Sequence, residues 1–72
     1  MESYELKLDA REALALRKLL DSAAGYHSSL ARLHRGFVRS GHIGHEPFIE
    51  SHEETATICS ELACRLSLVL GD

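Results

Sequence analysis

The sequence has no tryptophan, only two phenylalanines and two tyrosines, and a single proline. It lacks the aromatic platforms on which bases stack. With eight basic against eleven acidic residues it also lacks the positive field that holds a nucleic-acid backbone, so no nucleic-acid partner is expected. No run approaches the roughly 18 apolar residues that cross a bilayer, and no membrane partner is expected. The start, Met1-Glu2-Ser3-Tyr4-Glu5, has none of the basic-then-apolar character of a secretion signal. Cysteine is scarce too, with only Cys59 and Cys64. Five residues apart on one helix, these side chains point about 140° away from each other and cannot close an unstrained disulfide. Two such thiols suit a reducing compartment, and the expected location is the cytoplasm. Length is the last shortage. Seventy-two residues make one domain at most, and a chain this short buries only about 60% of its unfolded surface. A catalytic set with its own substrate pocket is not expected, nor is a cofactor.

What is present is a 44% apolar fraction, which argues against disorder and falls into regular periods. Residues 3–8 alternate, with Tyr4, Leu6 and Leu8 on one side, and predict a short N-terminal strand. Asp9, three residues before Glu12, forms the carboxylate variant of a capping box and opens a helix. Ala13, Leu16, Leu20, Ala23, His27, Leu30, His34 and Val38 then recur at steps of three and four, while Arg11, Arg17, Lys18, Asp21, Arg32 and Arg39 fall on or near the opposite side. This predicts a helix over residues 10–38. Gly25 costs about 1 kcal/mol within it, and a break there, with Ser28 capping a second helix, is the alternative. Residues 39–46 read as a turn. Pro47 suits a first helical turn and predicts a helix over residues 47–70, with Ser51 and Glu54 offering a start one turn later. Its apolar face is Phe48, His52, Thr55, Cys59, Leu62, Leu66 and Leu70, and Gly71 ends it.

The expected fold is mainly α: an antiparallel helical hairpin with a short leading strand. Folding about Ile43 sets His34 against His52, His27 against Cys59 and Leu30 against Ala56. Both apolar faces span about half of a helix, too wide for two helices to cover. A second copy is the simplest cover, and a homodimer forming a four-helix bundle is expected. Its interface would draw on Tyr4, Leu6, Leu16, Leu20, Leu30, Ala56, Leu62, Leu66 and Leu70, with the leading strands pairing Glu5 opposite Lys7.

Three groups could carry chemistry. Four of the five histidines, His34, His42, His45 and His52, gather at the turn end, and His34 with His52 is the best pair for a metal ion. The spacing lacks the paired cysteines or the His-Glu-x-x-His helix of an established zinc site, so neutral, hydrogen-bonded imidazoles are the plainer reading. Arg32, Arg35 and Arg39 share one helical face and, with His42 and His45, form a candidate site for a small anion such as a nucleotide. The plainer reading pairs these arginines with Glu50 or Glu53. Glu46, Glu50, Glu53, Glu54 and Glu61 make an acidic outer face that could dock on a basic surface of a larger protein, or merely keep the chain dissolved. The resulting expectation is a small non-enzymatic regulator, adaptor or inhibitor that binds a larger protein as a homo-oligomer. Its size is that of the accessory effectors used by bacteria and phages. The alternatives are an anion-binding module and a histidine-based sensor of metal or pH.

Overall fold

A computed structural model describes residues 2–71 and contains two helices, α1 over Ala10–Arg39 and α2 over Glu46–Leu70, folded back on each other as a hairpin. The capping box forms at the start of α1. The Glu12 N–H donates to the Asp9 carboxylate at 2.8 Å, and the Asp9 N–H donates to the Glu12 carboxylate at 3.0 Å. The helix then runs unbroken through Gly25. One glycine's propensity cost is small beside the tertiary contacts along a 30-residue helix. A Cβ built at Gly25 meets nothing within 4 Å, so Gly25→Ala should gain the full propensity difference, about 1 kcal/mol. The melting temperature should rise by roughly 4–8 °C. A variant that melts at or below the parent temperature would mean that the helix is interrupted there.

Two glycines with positive φ, Gly41 at 90° and Gly44 at 88°, reverse the chain between the helices, in the left-handed region that glycine enters without a Cβ penalty. The connection packs back on α1: the His42 N–H donates to the Phe37 carbonyl at 3.0 Å, and the Ser40 hydroxyl donates to the Gly36 carbonyl at 3.1 Å. Helix α2 starts at Glu46 with Pro47 in its first turn, not at the later Ser51 start. It ends on Gly71 at φ 78°, whose N–H donates to the Ser67 carbonyl.

Three expectations are corrected. Residues 3–8 form no strand, and among the described residues there is none anywhere. A strand is held by ladder bonds to a neighbour, and the other described residues form two helices and the turn between them; Tyr4 and Leu6 stand 86% and 74% exposed. Neither belongs to a buried interface within the hairpin.

The second correction concerns α2. The buried residues of the hairpin are four alanines, Ala13 and Ala31 on α1 and Ala56 and Ala63 on α2. Phe48 and Leu62, expected to face α1, are 54% and 40% exposed. Alanines let two backbones approach, and the larger side chains are displaced to the flank. On α1 all eight residues of the expected face are buried or half-buried, and on α2 so are Ile49, His52, Cys59, Leu66 and Leu70. Leu16, Leu20, Leu30, Ala56, Leu66 and Leu70 are therefore at least partly covered within the hairpin itself.

The third is register. His27 meets His52 rather than Cys59, seven residues or about two turns away, while His34 stacks on His52 as expected and also meets His45. His34 and His52 each meet two partners, so the rings interleave rather than pair level by level. Among the described residues, no helix is long and apolar enough to cross a membrane.

Candidate functional site

The feature with the most chemistry is a ladder of imidazoles running from mid-hairpin to the turn. His27 and His34 are seven residues apart on α1, and His45 and His52 are seven apart across the start of α2. Seven residues are close to two helical turns, so each pair keeps one face. Antiparallel packing closes the two pairs into rungs. His27 Nδ1 lies 2.9 Å from His52 Nδ1, and His34 Nδ1 lies 2.8 Å from His45 Nδ1. His34 is the centre of the group. Its ring stacks on His52 at 5.6 Å and on Phe48 at 5.2 Å between centroids. Phe37 closes the turn end, stacked on His45 at 4.9 Å and edge-on to His42 at 5.6 Å.

Each rung has a definite proton requirement. A neutral imidazole carries one N–H, so two Nδ1 atoms at hydrogen-bond distance must belong to opposite tautomers, one donating and one accepting. One extra proton on the donor ring strengthens the bond. A second would set two N–H donors face to face. Burial, and then the charges of His45 and His52, hold the His34 pKa below its ordinary value.

As a metal site the arrangement is incomplete. His34 and His52, the expected ligand pair, lie nearly parallel at 14°, each turning its Nδ1 to a different histidine. Among the described residues no three His, Cys, Asp or Glu side chains converge well enough to hold an ion. Sequence reasoning passed over His27 as a member of the cluster. Its signal was the repeated seven-residue interval, His27 to His34 and His45 to His52.

The arginine face is partly engaged. Arg35 Nη2 lies 2.5 Å from Glu53 Oε1, both side chains about half exposed, which makes this pair worth at most about 1 kcal/mol. Arg32 and Arg35 line a small cleft of about 180 Å³ with Ser28, Ala31 and Glu53. The Glu53 carboxylate opposes an anion there, and His42 and His45 are gathered around Phe37 instead. Arg39 is exposed at the end of α1. No family model, curated protein or solved structure matches the chain.

The acidic face is assembled on α2. Glu46, Glu50, Glu53 and Glu54 line an open groove of about 760 Å³ floored by Ile49 and Ile58. Glu61 lies on an adjoining cleft of about 480 Å³ that is walled by Ala24, Gly25 and Ser28 of α1. On the other side of the hairpin, Leu19, Tyr26 and Leu33 stand 67%, 63% and 55% exposed, a row that sequence reasoning did not single out.

Proposed function

We propose that this chain is a small non-enzymatic regulator, adaptor or inhibitor that works by binding a larger protein in the cytoplasm, and that it does so as a homodimer arranged as a four-helix bundle. The observation that carries the reading is the exposed apolar side of the hairpin, where side chains as large as Leu33, Phe48 and Leu62 remain 40–55% exposed. Large contiguous apolar surface marks sites of protein association. The acidic groove from Glu46 to Glu54 adds a second surface, suited to a basic patch on the partner. The size also fits an accessory effector of bacterial or phage origin. The anion-binding alternative has Glu53 against it, since that carboxylate already neutralises Arg35.

Gentle isolation of the tagged chain from its own cells, followed by native mass spectrometry, tests the reading. A stoichiometric complex with one larger protein, weakened by Glu50→Lys with Glu54→Lys, is the expected result. Recovery of the chain with no other protein at any salt concentration would count against it.

The shared protons of the imidazole rungs favour a second reading, a sensor whose stability follows pH.

A further inference from the structure

Each helix carries two apolar rows, and the hairpin uses one from each. The more exposed row on α1 holds Leu19, Tyr26 and Leu33 at intervals of seven, and that on α2 holds Phe48, whose ring also stacks on His34, with Leu62 and Val69, the half-buried Thr55 filling the interval between the first two. Their exposures run from 40% at Leu62 to 82% at Val69. Residues repeating at sevens form a straight stripe along a helix.

The two stripes lie on the same side of the hairpin. Ser28 of α1 and Glu53, Thr57 and Ser60 of α2 together line the cleft on one side, so the helical positions opposite to these share the other. Charge follows the same division. Of the Asp, Glu, Lys and Arg residues between Ala13 and Val69, all of them described, helical position puts only Arg65 on the apolar side.

Three properties of the chain identify what covers this side. The first is thickness. The chain is a slab of 48 × 27 × 15 Å, one layer of helices deep. Helical domains bury apolar faces by adding a second layer. The second is area. The accessible surface is 5821 Å², whereas a globular chain of 8.0 kDa exposes about 4,450 Å². The excess of roughly 1,400 Å², part of it from the exposed residues ahead of α1, is of the order of the 1,000–2,500 Å² that each partner loses in an obligate homodimer. The third is electrostatic. Each copy carries a net charge of −3, so two copies repel wherever charged faces meet. The one nearly uncharged side is where self-association meets no such opposition.

We infer that the side bearing Leu19, Tyr26, Leu33, Phe48, Leu62 and Val69 packs on the same side of a second copy and closes a four-helix bundle. The inference rests on the proposed homo-oligomeric function and assigns its face. It leaves the acidic groove outward for a larger protein.

Sedimentation equilibrium of the full chain, combined with tyrosine nitration, tests it. The chain has two tyrosines, and both are exposed in the single copy, Tyr26 at 63% and Tyr4 at 86%. The expected result is a dimer in which Tyr26 becomes protected at high concentration while Tyr4 stays reactive. Leu33→Glu with Leu62→Glu should raise the dimer dissociation constant about 100-fold or more, and Thr57→Glu on the opposite side should not. A monomer at about 200 µM overturns the inference, and so does a dimer that leaves Tyr26 as reactive as before. The nitration readout holds even if the double glutamate variant fails to fold. A monomer that still captures a larger protein would sink the inference and leave only the protein-binding part of the functional reading standing; a Tyr26-protected dimer that captures none would do the reverse.

Discussion

Enlarging Ala31 to leucine pries the hairpin open. Ala31 and Ala63 are each only 4% exposed, the most deeply buried residues of a contact built on alanines. Their size sets how closely α1 and α2 approach. Ala31 lies between α2 and the cleft of about 180 Å³, so three added carbons must separate the helices or leave their rotamer to turn towards that cleft, at a cost of about 1–3 kcal/mol. Ala31 lies near the turn end and Ala63 near the open end, so the costs of Ala31→Leu and Ala63→Leu should add. Together they reach about 2–6 kcal/mol, a large share of the roughly 4–10 kcal/mol expected for a chain this long. Urea unfolding followed by circular dichroism, at fixed protein concentration, measures both. Ser28→Leu, at an exposed position, should stay within about 0.5 kcal/mol of the parent. If the leucine variants were as stable as the parent, the close alanine contact would be wrong.

Acidification acts at the other end of the molecule. His34 has a folded pKa below its ordinary value, caused first by burial and then by the charges of His45 and His52. The unfolded chain therefore binds more protons than the folded one as pH drops below about 6.5, and stability must fall in that direction. It is fully present above the ordinary imidazole range and is lost as pH falls towards 5. His45, His52, Phe37 and Phe48 surround His34, and the nearby charges of Arg35 and Glu53 are tied to each other. Thermal melts between pH 8 and pH 5 should show a steady loss, well above the range where carboxylates titrate. His34→Phe keeps a ring between Phe48 and His52 and removes the central imidazole, so its melting temperature should depend less on pH. A parent protein with a flat profile would contradict the burial of His34 among its neighbouring histidines.

These outcomes trace back to what the sequence could and could not specify. Helix α1 was readable because every signal agreed: the Asp9–Glu12 box, eight apolar positions in phase, and basic residues opposite. Helix α2 was readable in part: of its expected face His52, Thr55, Cys59, Leu66 and Leu70 are half-buried, while Phe48 and Leu62 lie outside and a second row, Ile49–Ala56–Ala63–Leu70, makes the contact. Hydrophobicity favours Phe48 and Leu62 because they are large. Close approach of two helices favours the second because alanine is small, and packing decided the matter. The imidazole rungs were hidden for a related reason. Their partners depend on where the connection from Ser40 sets His45, which lets His34 reach His45 as well as the expected His52. Residues 3–8 show the opposite limit. Alternation describes a side-chain pattern, and a strand also needs a neighbour that this chain does not supply.

The central claim is that the hairpin is half of a structure, completed by association across its uncharged side. The melting temperature at two protein concentrations tests it most directly. For a folded dimer that melts to separated chains, a hundredfold increase in concentration adds about 2.7 kcal/mol of stability per dimer. The account predicts a midpoint several degrees higher at about 500 µM than at about 5 µM. An identical midpoint at both concentrations would contradict it.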